Sequence, residues 1–134
     1  MELAKVPVLV VDDMALSRKR VINCLKDLGF SDIREAQDGD DGWTAIVNAE
    51  RPIVLVVSDW NMPHSSGLEL VLKIRADEKY KSIVFVMVTA EGDAIKKTDA
   101  VKAGVNGIIN KPFDSQIFSE KFNEILSASK IKLG

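Results

Sequence analysis

Short apolar runs alternate with segments of helical period along the whole of this chain, and that alternation restricts its fold more than any other feature. The clearest run is Ile53-Val54-Leu55-Val56-Val57-Ser58, which ends on Asp59 and the turn Trp60-Asn61-Met62-Pro63. Four to eight apolar, mostly β-branched residues closed by turn formers read as a buried parallel strand. Strands are predicted at residues 8–11, 32–35, 53–58, 83–88 and 106–110. Between them, Val21, Leu25 and Leu28 recur at i, i+4, i+7, as do Phe118, Phe122 and Ile125. Leu68, Val71, Leu72 and the stem of Arg75 fall at i, i+3, i+4, i+7, so each of these segments is a helix with one apolar stripe. Five βα units in strict alternation predict an α/β fold, a five-stranded parallel sheet with five helices on both faces, because right-handed crossovers must cover each side.

The element ends are marked by their chemistry. Gly29 follows the first helix and Gly104 closes the fourth, where a left-handed cap is needed, and Asp114 or Ser115 can cap the last. Gly39 and Gly42 open the weakest helix, predicted over 40–49 and ended by Pro52. The two most apolar strands, 53–58 and 83–88, are expected to be central, and the polar strand 32–35 an edge. With 134 residues, 46% of them hydrophobic, the chain can bury a core without disulfides, and one domain over 1–134 is expected.

Composition narrows the function classes. The net charge is -2 and no Lys/Arg block exceeds three residues, so a nucleic-acid partner is not expected. The start Met1-Glu2-Leu3-Ala4-Lys5 lacks the basic and long apolar regions of a signal peptide. No apolar stretch approaches the roughly 18 residues of a membrane span, which predicts a soluble cytoplasmic protein with no membrane partner. The one cysteine, Cys24, falls within a helical pattern, where a small buried apolar role is expected rather than redox chemistry.

In open α/β sheets the chemistry gathers at the C-terminal ends of the strands. The run 8–11 ends on Asp12-Asp13, 53–58 on Asp59, 83–88 on Thr89-Ala90 and 106–110 on Lys111-Pro112. One sheet edge therefore collects three anions, a hydroxyl and a cation. Three carboxylates at neighbouring strand ends repel one another unless a proton or cation intervenes, and Mg²⁺ is the economical cation because it takes carboxylate oxygens and water. Each group has a distinct use if a phosphoryl group is handled: carboxylates hold the metal, one of them attacks phosphorus, and Lys and Thr bind the equatorial oxygens.

Asp12-Asp13, Ser58-Asp59-Trp60-Asn61-Met62-Pro63 with Gly67-Leu68-Glu69-Leu70 behind it, Thr89-Ala90-Glu91 and Lys111-Pro112-Phe113 match one family in residue type, order and spacing, from about Val6 to Leu126. The chain resembles the receiver domain of two-component response regulators, most closely the CheY-like single-domain chemotaxis regulators. The resemblance implies a flavodoxin-like fold with strand order 2-1-3-4-5. It implies that Asp59 accepts a phosphoryl group from a phosphohistidine on a sensor histidine kinase. Asp13 and Asp59, with the backbone carbonyl of Asn61, would bind Mg²⁺ directly, and Asp12 mainly through water. Lys111 would pair first with Asp59 and then with the phosphoryl oxygens. Thr89 would donate to the phosphoryl group and move towards it, shifting the face built by the fourth helix, fifth strand and fifth helix. The family also implies a cis Lys111-Pro112 peptide. Asn61 and Glu91, each two residues beyond a site residue, would tune dephosphorylation towards a short-lived signal. A phosphatase is a further partner this resemblance admits, and monomeric action is expected. The chain is expected to be no enzyme beyond its own phosphotransfer and dephosphorylation.

Plainer readings stand beside these. Asp12-Asp13 could cap the first helix, Thr89 could satisfy a backbone group, and Lys111 could be a solvated charge. Their occurrence in register with Asp59 favours the shared site. His64, the only histidine, has no partner ligand nearby in sequence and reads as an exposed loop residue. Trp60 reads as an aromatic lid over the site, or else a surface aromatic, and Trp43 as a packing residue of the second helix.

Two departures bear on output. Where chemotaxis members usually carry an aromatic residue three before the active-site lysine, this chain has Ile108, stiff about χ1 and too small to reproduce the swing of a ring. Basic residues that motor regulators tend to carry at the start of the fourth helix are replaced by Asp93 and Ala94, and Glu124 stands near Lys121. An effector such as the flagellar motor switch protein remains one expectation. A phosphate sink that drains a shared kinase without binding the motor is the other. A Mg²⁺-dependent aspartyl-phosphate hydrolase is disfavoured, since no second general acid stands two residues after Asp59 and nothing resembles a cap domain.

Overall fold

The computed structural model describes residues 3–60, 62, 65–90 and 94–128, with side chains for all of these except 94–97. Five strands, β1 (Val8–Val11), β2 (Ile33–Ala36), β3 (Leu55–Asp59), β4 (Val84–Ala90) and β5 (Gly107–Lys111), alternate with five helices. The helices are α1 (Ala15–Leu28), α2 (Gly39–Asn48), α3 (Gly67–Ala76), α4 (Ala94–Ala103) and α5 (Ser115–Ala128). All strand pairs are parallel and the order is β2-β1-β3-β4-β5, the flavodoxin-like arrangement. The polar β2 is an edge and the apolar β3 is central, as their compositions predict.

Two apolar layers follow from the two-residue period of the strands. Val8, Val10, Leu55, Val57, Val86 and Val88 face one side, where Val21 and Leu25 of α1 and Phe118 and Phe122 of α5 cover them. Leu9, Val11, Val56, Phe85 and Met87 face the other, beneath Ile46 of α2, Leu70, Val71 and Ile74 of α3 and Ala100 of α4. Aromatic packing fixes the first layer: the rings of Phe118 and Phe122 stack at 5.9 Å and Phe30 meets Phe122 edge-on at 5.9 Å. Trp43 packs edge-on against Tyr80 at 5.5 Å, the packing role expected of it.

The strand ends differ from the sequence-based boundaries in one direction. Asp59 pairs with Val88, Thr89 with Asn110 and Ala90 with Lys111, so the polar site residues are the last rungs of the ladder rather than residues beyond it. Backbone pairing continues past the apolar run because main-chain hydrogen bonds do not depend on side-chain polarity. It stops after Lys111, where Pro112 supplies no N–H and the peptide bond is cis. At the other end, Ile53 and Val54 precede β3, whose approach is set by Val54 and Leu55 N–H groups donating to Pro7 O. α2 begins one residue earlier than predicted because the Asp38 side chain caps it, accepting from Asp41 N at 2.8 Å. Asp114, not Ser115, caps α5, accepting from Ile117 N at 2.8 Å. Ser115 instead donates to Asp27 at 2.8 Å and ties α5 to α1.

One glycine is required at the site. A Cβ on Gly67, at the start of α3, would overlap the backbone carbonyl oxygen of Asp59. The close approach lets Gly67 N donate to Trp60 O at 3.0 Å and closes the loop that follows the acidic strand end.

The opposite end of the sheet is held by Arg75 of α3. Its stem lies in the helical stripe, but its guanidinium gathers four acceptors: Gly104 O at 3.0 Å, Lys81 O at 2.7 Å, Ile83 O at 2.6 Å and Asn106 Oδ1 at 3.0 Å. Asn106 Oδ1 also accepts from Phe85 N at 2.8 Å, so α3, the end of α4 and the starts of β4 and β5 share one polar node. Burial lowers the Arg75 pKa from its usual value. Replacing Arg75 with Met leaves these acceptors without their donor, and a loss of about 2–3 kcal/mol in urea unfolding is expected.

Candidate functional site

Asp59 ends β3 with its side chain 14% exposed. Its Oδ1 accepts from Trp60 N at 2.7 Å, which fixes the carboxylate plane, and its Oδ2 lies 3.4 Å from Lys111 Nζ. Asp12, one residue past β1, is buried; its Oδ1 accepts from Met14 N at 2.9 Å and its Oδ2 lies 3.6 Å from Lys111 Nζ. Asp12 does not cap α1, whose N-cap is Met14 with no side-chain cap bond; its bond to Met14 N is a local turn that sets the entry to the helix. Asp13 is exposed, and oxygens of Asp12, Asp13 and Asp59 all lie within 4.8 Å of one another. The register explains this: β1 and β3 are adjacent and parallel, with Val11 opposite Ser58, so both acidic ends fall at one level.

The electrostatics are those of an incompletely neutralised cluster. Burial raises the Asp59 pKa above the usual carboxylate range; Lys111 opposes the rise, Asp12 adds to it, and the Trp60 N–H opposes it. One ammonium, 3.4 Å from Asp59 and 3.6 Å from Asp12, serves a cluster of three carboxylates. A hard divalent cation fits such a donor set, since it takes carboxylate oxygens from a partly buried site and completes its shell with water.

Thr89 is buried in β4, one residue beyond the rung that pairs Asp59 with Val88. Lys111 closes the same edge from β5. The structure therefore brings Asp12, Asp13, Asp59 and Lys111 together and sets Thr89 beside them. Asn61, His64, Glu91 and Asp93 lie outside the described residues. Ile108 of β5 is opposite Met87 and packs against the α2, α3 and α4 side of the sheet.

Trp60 differs from both readings of it. It is 7% exposed and belongs to the second apolar layer with Met62, neither a lid nor a surface aromatic. The cause is the backbone: Trp60 N reaches Val88 O at 3.2 Å and Trp60 O accepts from Gly67 N, which turns the residue back under the strand end.

Two contributors escaped the sequence reading. Ser17 Oγ lies 2.9 Å from Lys111 Nζ, and Arg18 donates to Asp12 O at 2.8 Å while pairing with Glu35 at 2.7 Å. Their position in the first turns of the helix behind Asp12-Asp13 was the available signal.

The arrangement agrees with comparison to known proteins, in which the response regulator receiver domain family matches residues 8–123. The chain belongs to that family. Receiver proteins similar to it include the chemotaxis protein CheY homolog of Campylobacter jejuni, 42% identical over 118 residues covering 88% of this chain and 90% of that one. Helicobacter pylori CheY1 is 40% identical over 121 residues, covering 90% and 97%. Among solved structures, the chemotaxis response regulator CheY4 of Vibrio cholerae has a TM-score of 0.79 at 30% identity and covers 90% of this chain and 98% of its own. Among the described residues, no helix of this receiver is long and apolar enough to cross a membrane.

The raised Asp59 pKa has a thermodynamic consequence. The folded receiver binds that proton more tightly than the unfolded chain, so its relative stability falls as pH rises from the unfolded value of 3.8 through the folded one and stays lower at neutral pH. Asp59→Asn should raise stability at pH 7 by about 0.5–2 kcal/mol, with the gain disappearing below pH ~3.5, where the acid form prevails in both states. Thermal melts of both proteins across pH in a metal-free buffer check this.

Proposed function

We propose that this receiver is a phosphorylation-dependent switch in chemotaxis signalling, with Asp59 as phosphoacceptor and a sensor histidine kinase as donor. The observation that carries the reading is the shared edge itself: three carboxylates within 4.8 Å, with Lys111 Nζ 3.4 Å from Asp59. CheY-like response regulators are signalling proteins rather than classical enzymes, and the similarity to proteins named for chemotaxis supports that setting.

In the transfer, an Asp59 oxygen attacks phosphorus, the N–P bond of the phosphohistidine breaks, and the imidazole leaves with the electron pair. The Trp60 N–H holds the other Asp59 oxygen in place, which keeps the attacking one aimed out of the sheet edge. Lys111 meets the charge on the phosphoryl oxygens, and Thr89 donates its hydroxyl to one of them. Asp13 and Asp59, with Asp12 beside them, would hold Mg²⁺, and that ion would supply the charge neutralisation that lets an anion approach a carboxylate cluster. Water later attacks phosphorus and restores the carboxylate. Asn61 and Glu91 govern that lifetime in this reading.

Output runs through α4, β5 and α5. β5 carries both Lys111 and Ile108, so a pull on the lysine by phosphoryl oxygens acts directly on the strand of the output face. Ile108, Asn110, Pro112, Ile117 and Lys121 line a hollow of about 270 Å³ on that face. Lys121 sits 3.6 Å from Glu124, which reduces its pull on an acidic partner. Ile108 in place of an aromatic ring and Glu124 beside Lys121 favour a second reading, a phosphate sink for a shared kinase that does not bind the flagellar motor.

Beryllofluoride with Mg²⁺, which mimics an aspartyl phosphate, should change Trp60 emission, and Asp59→Asn or a chelator should abolish the change. No response in the unmodified protein sinks the phosphoacceptor reading. A flagellar switch-protein peptide titrated into both forms separates the outputs. Tighter binding only in the activated form supports a motor regulator, and activation without binding supports the sink.

A further inference from the structure

Lys111 faces two carboxylates, yet its shortest contact is to a neutral hydroxyl. Nζ lies 2.9 Å from Ser17 Oγ, against 3.4 Å to Asp59 Oδ2 and 3.6 Å to Asp12 Oδ2. An ammonium in direct contact with a carboxylate sits at about 2.7–2.9 Å, so both anions stand outside that range. Ser17 is the third residue of α1, and its position one helical turn beyond Asp13 brings its hydroxyl to the end of β5. A cavity of about 160 Å³ lined by Ser17, Arg20, Lys111, Pro112 and Phe113 gives the ammonium room on this side.

We propose that Ser17 is a positioning residue whose hydroxyl seats the Lys111 ammonium beside α1, keeping Asp59 open to a divalent cation until a phosphoryl group offers the lysine its oxygens. The inference rests on the phosphoacceptor reading of Asp59. A lysine closed onto Asp59 or Asp12 competes with the cation for the same lone pairs and screens the attacking oxygen. The seat is also easily left. A neutral hydroxyl holds an ammonium less strongly than phosphoryl oxygens do, so the lysine transfers once that charge arrives.

The test compares the whole chain with its Ser17→Ala and Ser17→Thr variants by calorimetric Mg²⁺ titration and by the rate of phosphorylation from acetyl phosphate. In that reaction the P–O bond breaks and acetate leaves with the electron pair as the Asp59 oxygen bonds to phosphorus. Ser17→Ala should weaken Mg²⁺ binding about 2- to 10-fold, the range of a single hydrogen bond. Its phosphorylation should slow by the same factor at limiting Mg²⁺ and recover at saturation, while Ser17→Thr should restore both. Alanine is the stronger helix former, so the variant should fold, and its melting curve verifies that. Mg²⁺ binding that is unchanged or tighter in Ser17→Ala, or a loss that Ser17→Thr repeats, overturns the proposal. Failure of the unmodified protein to bind Mg²⁺ or to take the phosphoryl group overturns the phosphoacceptor reading instead.

Discussion

Mutual repulsion among Asp12, Asp13 and Asp59 is the constraint around which the rest of this receiver is arranged. Parallel pairing of β1 with β3 puts the three at one level, and the buried layers on either side of the sheet prevent them from separating. Every neighbouring feature tempers that repulsion by a different means. Lys111 reaches over from β5, the Trp60 N–H and Met14 N–H each satisfy one carboxylate oxygen, and Arg18 donates to the Asp12 carbonyl. None removes the excess charge, which leaves a donor set that suits a cation and, in the proposed function, a phosphoryl group. Functional sites commonly hold such unfavourable charge at a cost in stability that the fold elsewhere offsets.

Much of this architecture was legible in the residues because parallel strands covered on both faces are almost wholly apolar. Val8–Val11 and the run from Ile53 to Ser58 announce themselves in that way, and the acidic residues that end them announce the site. What was not legible depends on the backbone or on distant partners. That Asp59, Thr89 and Lys111 lie within the ladder cannot be read from hydrophobicity, since main-chain pairing carries no side-chain signature. The ring of Trp60 turns into the core because of two main-chain bonds around the loop. Ser17 and Lys111 are 94 residues apart in the chain, so only the folded sheet shows that they meet.

The two faces of the sheet carry different tasks. α1 and α5 enclose the layer that holds Phe30, Phe118 and Phe122 and are tied by Ser115 and Asp27, which makes that side a fixed frame. Ile108, by contrast, belongs to the other layer, where α4 contributes Ala100 and Val105 follows its end. A branched aliphatic chain at this point fills space without a rotamer change of large amplitude. In the proposed switch, signal passage would then rely on movement of β5 and α4 as bodies rather than on the swing of one ring.

The Arg75 node sets how such movement can be distributed. It pins the starts of β4 and β5 and the end of α4 to α3, at the edge of the sheet remote from the carboxylates. Strand β4 is seven residues long, which at about 3.3 Å per residue makes an arm of roughly 20 Å from that anchor to the reactive edge. A strand clamped at one end and pulled at the other pivots instead of sliding, so displacement grows with distance from the guanidinium. In the proposed switch the largest excursions would then fall at the reactive ends of β4 and β5, the rim from which a second protein would sense whether the aspartate carries its load.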